Sequence, residues 1–414
     1  MTASFEGVKK AAEHVKGVSL HTPLQKNINF SERYQANVSF KREDLQVVRS
    51  YKIRGAYHKI HSLSDEEQAR GIVCASAGNH AQGVAYSCQQ LGIKGTIFMP
   101  SVTPKQKVDQ VRMFGKDKVE VILIGDTFDD ASQAAYDFRD EYNATFVHPF
   151  NDEQIIEGQG TVALEILEDA KEPIDYLFIP VGGGGLIAGS ILVFKELSPN
   201  TKIIGLEPQG APAMKQSLEK GEKVVLDKID TFVDGAAVKA VGEKPLEVCK
   251  GNIDQLTLIP EGKICTTILK LYNQEAIVVE PAGALSLAAL DFYKEEIKGK
   301  NVVCIISGSN NDITRTEEIK ERSLLYEGLK HYFMVRFPQR AGALKEFVTD
   351  VLGPKDDIVH FEYTKKHSRE KGPVFIGIEL QSPDDLGQLK QNMTQSNFVY
   401  EYLNEKPDML QHLL

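Results

Sequence analysis

Six short apolar runs constrain this chain most: GIVCAS (71–76), GTIFMP (95–100), VEVILIG (119–125), YLFIPV (176–181), KIIGLEP (202–208) and NVVCIIS (301–307). Longer stretches of helical period separate them. The runs are rich in β-branched residues and show no alternation of apolar with polar positions, as a half-exposed strand would. Unbroken apolar strands need cover on both faces, which a parallel sheet between helices supplies. The first 320 or so residues therefore read as α/β. In such sheets ligands gather where strands end and helices begin, because backbone N–H groups and helix dipoles converge there.

Beyond about residue 320 the rhythm changes. TEEIKERSLLYEGLK is charged and helical, and HYFMVRF then opens a new series. The pattern predicts a strand at 332–337, a helix at 341–352, strands near 358–364 and 374–380, a helix at 383–395 and a strand at 398–403. That order, βαββαβ, is the split-βαβ plan of ferredoxin-like domains. The charged piece TKKHSREKGP (364–373) reads as an exposed hairpin loop.

A length of 414 residues exceeds what one core organises, so two or three domains are expected. The formal net charge of −10 disfavours a nucleic-acid surface, since no cluster of Lys and Arg offers to neutralise phosphates. Partners are expected among small molecules and other subunits. The five cysteines (Cys74, Cys88, Cys249, Cys265, Cys304) form no C-x-x-C pair, which fits a reducing cytoplasm better than a metal or disulfide framework. The N-terminal MTASFEGVKKAAEHVKG has no apolar core of signal-peptide length. No apolar run approaches the roughly 18 residues of a membrane span.

Four motifs carry chemistry. In VVRSYKIRGAYHKI, Lys52 stands between Ser50 and Arg54 with Gly55 and Ala56 behind it. Alone, such a lysine reads as a solvated surface charge. Directly after YLFIPV comes GGGGL, Gly182 to Leu186, and then a helical run. Consecutive glycines let successive N–H groups converge without Cβ obstruction, and the helix adds its positive end, a combination suited to phosphate. The spacing is neither a Walker loop nor G-x-G-x-x-G, and a flexible turn is the plain alternative. SAGNHAQG sets Asn79 at a helix start, where an N-cap explains one residue. The N–H groups from Ser76 through Ala77 and Gly78 to Asn79 suit a carboxylate, with the Asn79 amide available to a ring hydroxyl. In IISGSNND, Ser307 is either a turn residue or a neutral hydroxyl able to reach a ring nitrogen.

A phosphorylated aromatic aldehyde captured by a lysine would unite these motifs. Here the chain resembles the fold-type II pyridoxal-phosphate enzymes, tryptophan synthase beta-like in fold, and among them the threonine/serine dehydratases. S-x-K-x-R-G-A, S-A-G-N-H-A-Q-G, the glycine tetrad and S-G-S-N stand in the family's order across essentially the entire chain. The resemblance implies two three-layer α/β subdomains in residues 1–320, the smaller at roughly 50–148 inserted in the larger. It further implies a linker at 321–330, an ACT-like regulatory domain at 331–405 and a tail at 406–414.

Carried over by residue, it implies that Lys52 binds pyridoxal 5'-phosphate as an imine and that Asn79 contacts its hydroxyl. Gly182, Gly183, Gly184, Gly185 and Leu186 then hold the phosphate through the main chain, and Ser307 faces the pyridine nitrogen. For Ser50 and Arg54 it leaves open whether they do more than orient the lysine segment. The implied reaction is α,β-elimination of L-threonine to 2-oxobutanoate and ammonia, with Lys52 as base and L-serine as a poorer substrate. Ala77 replaces the serine that racemase relatives carry, which disfavours racemisation. Glu207 is kept, but Ala213 stands where metal-dependent relatives have an acidic ligand, so no divalent metal is expected.

The C-terminal region resembles the ACT-like domain of the biosynthetic dehydratases, with Gly342 in PQRAGAL (338–344) allowing a ligand close to the backbone. Isoleucine is implied as feedback inhibitor, valine as its opponent, and a homo-oligomer as the assembly, a tetramer rather than a dimer. A catabolic serine/threonine dehydratase and a non-catalytic amino-acid sensor are the rival readings.

Overall fold

Parallel strands dominate the first part of the chain and antiparallel strands the second. The structure, a computed structural model, describes residues 2–363, 371–406 and 409–410. The greater part of the expected hairpin loop (364–370) and most of the expected tail lie outside the described residues. The chain divides into two compact units, Met1–Ile313 and Thr314–Leu414.

The first unit contains β1 (Leu24–Lys26), β2 (Asn37–Arg42), β3 (Ile72–Ala75), β4 (Gly95–Met99), β5 (Val119–Leu123), β6 (Thr145–Phe146), β7 (Tyr176–Pro180), β8 (Lys202–Pro208), β9 (Gln255–Ile259) and β10 (Asn301–Ile306). They form two sheets. The larger has the order β1-β2-β10-β7-β8-β9 and the smaller β5-β4-β3-β6. Only β1 runs antiparallel, along β2; the other neighbours are parallel.

Every residue of β3 and β7 is buried, which is why their sequences show no alternation. VEVILIG departs from that expectation. Its strand β5 lies at the edge of the smaller sheet, no residue of it is fully buried, and Leu123 is exposed. Separate cores serve the two sheets, one around Leu177, Ile179, Phe194 and Ile305, the other around Cys74, Val84, Ile97 and Val111.

The helix Lys52–His61 is wedged between these halves. It packs on Asn79–Leu91 beside the smaller sheet and on Glu153–Asp169 beside the larger. Glycine makes both crossings close. A Cβ on Gly83 would lie 3.1 Å from the Lys52 carbonyl, and one on Gly158 would lie 2.5 Å from the Cα of Gly55. Any larger residue would push the helix, and Lys52 with it, out of place.

The second unit holds β11 (Lys330–Pro338), β12 (Asp357–Tyr363), β13 (Lys371–Glu379) and β14 (Val399–Tyr402) in the order β12-β13-β11-β14, all antiparallel. With helices Ala343–Asp350 and Asp385–Gln395 the order is βαββαβ, packed around Phe333, Phe337, Phe347, Ile376 and Leu389. The stretch 321–330 is folded where the sequence suggested a linker. It spans the end of helix Thr316–Tyr326, the turn after it and the first residue of β11. Ile319 and Ser323 are buried beneath the charged face, Tyr332 donates a 2.6 Å hydrogen bond to Glu321, and Lys330 pairs with the same carboxylate.

Candidate active site

Lys52 is the first residue of its helix, and the segment before it is tied to the chain leaving β10. The Tyr51 N–H donates to the Ser307 carbonyl at 3.2 Å, and Ser50 bridges to Gly308. This pairing brings two motifs more than 250 residues apart in sequence to one place. The Lys52 Nζ donates to the Pro149 carbonyl at 2.9 Å, and its side chain lines a cavity of about 600 Å³. Enclosure by protein lowers its pKa from the usual lysine range to about 8, partly opposed by the charge of Glu280.

The same cavity is lined by Ser76, Ala77, Gly78, Asn79, Gly182, Gly183, Gly184, Gly185, Leu186 and Ser307. Gly342 belongs to the second unit. It caps helix Ala343–Asp350 at φ +86° with open space where a Cβ would stand.

The glycine tetrad follows β7 and leads into helix Gly185–Leu197, whose N-cap, Gly184, has φ +94° and no capping side chain. Side chains are excluded as well as absent. A Cβ on Gly183 would lie 2.2 Å from the Phe150 ring, and one on Gly182 would lie 3.0 Å from the Ala236 backbone. The first-turn N–H groups of a helix lack intrahelical acceptors, so this uncapped start beside an enclosed amine fits a phosphorylated aldehyde. Ser307, 2% exposed, adds a neutral hydroxyl to the wall rather than a carboxylate.

The SAGN turn is less open than its sequence suggests. The Ser76 N–H donates to the Phe98 carbonyl at 3.1 Å, and that of Gly78 to Ser76 Oγ at 3.3 Å. The Ser76 amide therefore satisfies the sheet edge and is not presented to a carboxylate. Glu207 accepts from the Met214 and Lys215 N–H groups at 2.6 and 2.8 Å and so caps helix Ala213–Lys220. Burial pushes its pKa up to about 8. Among the described residues no three His, Cys, Asp or Glu side chains are grouped to hold a metal ion.

Several wall residues escape sequence reasoning. Glu280, 4% exposed, accepts from Asn79 Nδ2 at 2.7 Å, while Asn310 Nδ2 donates to Asn79 Oδ1 at 2.6 Å. Burial, with Asp234 nearby, raises the Glu280 pKa to about 7. Its only local signal is a proline behind it, which marks a helix start and nothing more.

His80 and His148 stand close enough to Lys52 to feel its charge, and burial lowers their pKa values to about 3 and about 4. Both are neutral at pH 7. At the outer wall Lys107 pairs with Asp234 at 2.6 Å and Lys239 with Asp129 at 2.8 Å.

Known proteins share both the sequence and the fold. A family described as pyridoxal-phosphate dependent enzyme matches residues 16–308, and one described as the C-terminal regulatory domain of threonine dehydratase matches 321–413. The L-threonine dehydratase biosynthetic IlvA of Halalkalibacterium halodurans is 59% identical over 410 residues, 99% of each chain. Its Bacillus subtilis counterpart is 56% identical over 407 residues, 98% of this chain and 96% of that one. The solved processed form of threonine deaminase isoform 2 from Solanum lycopersicum aligns with a TM-score of 0.73 at 40% identity, covering 78% of this chain and 95% of that chain. With both regions matched in order and more than half the residues identical over nearly the full length, the chain belongs to the pyridoxal-phosphate dependent enzymes, in the biosynthetic threonine dehydratase family that carries a C-terminal regulatory domain.

Proposed function

We propose that this chain deaminates L-threonine to 2-oxobutanoate and ammonia, accepts L-serine less well, and is restrained by isoleucine through its second unit. The observation that supports the chemistry best is a lysine amine of lowered pKa, about 8, sharing one cavity with a side-chain-free glycine loop at a helix start. Pyridoxal phosphate supplies an aldehyde that holds the substrate nitrogen and a ring that takes up electron density from Cα.

In this reading the backbone from Gly182 to Leu186 holds the phosphate, Lys52 the aldehyde carbon, Asn79 the ring oxygen and Ser307 the ring nitrogen. Ser76, Ala77, Gly78 and Asn79 surround the substrate carboxylate, with the Ser76 hydroxyl, not its amide, facing it. With the cofactor bound, Lys52 Nζ would remove the substrate α-proton and return a proton to the departing β-oxygen. Water leaves. The freed unsaturated amine then takes up water to give the 2-oxo acid and ammonia, so atoms balance. A serine hydroxyl does not hold a proton on the ring nitrogen as a carboxylate would, and this favours prompt elimination over transamination. Ala77 has no exchangeable proton to return to the opposite face of Cα, which keeps racemisation low.

In the second unit Gly342 lets an amino acid approach the backbone, with isoleucine favouring the less active state and valine opposing it. Assembly into a homo-oligomer, a tetramer rather than a dimer, and residence in the cytoplasm complete the reading. Borohydride trapping and peptide mapping test the core of it, with the label expected on Lys52 and a label elsewhere refuting it. Oxo-acid release from threonine and serine across an isoleucine titration tests substrate and effector together.

A further inference from the structure

The hydrogen bonds around Asn79 have a fixed direction. The chain of bonds begins at the Val48 carbonyl, which can only accept. Asn310 Nδ2 donates to it at 2.9 Å, so the same nitrogen is the donor to Asn79 Oδ1 at 2.6 Å. With its oxygen thus engaged, Asn79 must turn its NH₂ toward Glu280, whose Oε1 lies 2.7 Å away. Ionised, as it is increasingly above a pH of about 7, the Glu280 carboxylate accepts and cannot donate, so that end of the chain favours the same amide orientation that the Val48 carbonyl imposes from the other. Asn79 retains one further N–H for a ligand in the cavity, while its oxygen is held toward Asn310.

Glu280 is built for this task. It is the N-cap of helix Pro281–Ala288 yet makes no capping bond, because its carboxylate is turned to Asn79. It also receives the Asn310 backbone N–H. Space is reserved for it: a Cβ on Gly308 would lie 2.5 Å from Glu280 Oε1, and one on Gly235 would lie 3.3 Å away.

We infer that Glu280 is a positioning residue that, with Asn310, locks Asn79 as a hydrogen-bond donor to the ring oxygen of the cofactor and so holds that oxygen in its anionic form. The inference rests on the reading of Asn79 as the contact to that oxygen. A donor fixed in place stabilises charge on the oxygen more than one that turns freely between donor and acceptor.

Glu280→Gln is close in shape, but its amide can present either N–H or C=O, so the constraint from that end is lost. In the holoenzyme the visible absorption of the bound cofactor is titrated against pH for wild type, E280Q, N79A and the double variant. E280Q is expected to move the midpoint by about one pH unit, the scale of one hydrogen bond to a charged group, and to lower kcat roughly tenfold with KM little changed. The double variant is expected to match N79A alone, because Glu280 acts through Asn79.

An E280Q spectrum and midpoint equal to wild type, or additive effects in the double variant, overturns the inference. If E280Q does not accumulate as holoenzyme, N310A, which removes the donor to Asn79 Oδ1 and leaves Glu280 intact, is expected to shift the same midpoint in the same direction. No shift there overturns it equally. Failure of the underlying reading looks different: N79A itself would leave the midpoint where wild type has it.

Discussion

Lys52 and Arg54 lie two residues apart in one helical turn, both enclosed by protein, and they meet opposite electrostatic fates. Lys52 faces the cavity with a single backbone carbonyl as its hydrogen-bond partner, and burial drives it toward the neutral amine. Arg54 points the other way, fully buried, into a cluster that neutralises it. Glu43 accepts from Nε and Nη2 at 2.8 Å each, Glu165 from Nη1 and Nη2 at 2.6 and 2.8 Å, and Thr161 Oγ1 and the Leu20 carbonyl complete the set.

Lys41, also fully buried, shares Glu165 at 2.6 Å. The carboxylates raise the pKa of Arg54 further above its ordinary value and outweigh the burial that opposes them. Burial alone therefore does not set charge; the partners do. An amine of lowered pKa stands on one side of the helix, and a permanent cation clamps the other.

The contrast breaks first at Lys52. K52A is expected to lower oxo-acid release from threonine by about a thousandfold or more. Its unfolding free energy should stay within about 1 kcal/mol of wild type, measured on the protein without cofactor. R54M should reverse the pattern, because it leaves Glu43 and Glu165 under-compensated. Urea unfolding should show a loss of about 3–5 kcal/mol.

Gly183→Ala tests the phosphate cradle. With Phe150 in the way of the new Cβ, the cofactor dissociation constant should rise roughly tenfold in a fluorescence titration, a scale set by about 1–3 kcal/mol of overpacking. The mildest test is pH. Only the neutral amine attacks an aldehyde, and a lowered pKa means that the neutral fraction grows as pH rises through about 8. Reconstitution of the cofactor-free protein with pyridoxal phosphate should quicken about fivefold between pH 7 and pH 8 and level off above pH 9. A flat profile would mean that Lys52 is already neutral.

Much of this was legible in the sequence because its signals are local. β-rich apolar runs announce parallel strands, and the glycine tetrad and the SAGN turn announce helix starts. Hence the α/β class of the first unit and the βαββαβ order of the second follow from reading runs, while the division of the first unit and the gathering of Lys52, Asn79, Gly182 to Leu186 and Ser307 in one cavity are what the family resemblance implies. What stayed hidden depends on distant partners. Arg54 acquires its role from Glu165, 111 positions away, and Glu280 from Asn79, 201 positions away. A strand without an apolar run also escaped: β2 carries NVSFKR, whose Lys41 is buried through its pairing with Glu165.

The ion pairs at the outer wall of the cavity carry a consequence for alignment. Lys107 and Asp129 come from helices Lys105–Gly115 and Phe128–Tyr142 beside the smaller sheet, while Asp234 and Lys239 come from the segment between helices Ala213–Lys220 and Glu243–Cys249. Each half thus offers one cation and one anion in matching but inverted order. Exchanging the partners would set ammonium against ammonium and carboxylate against carboxylate, so the pairs, largely exposed as they are, add a small bias toward one register between the halves.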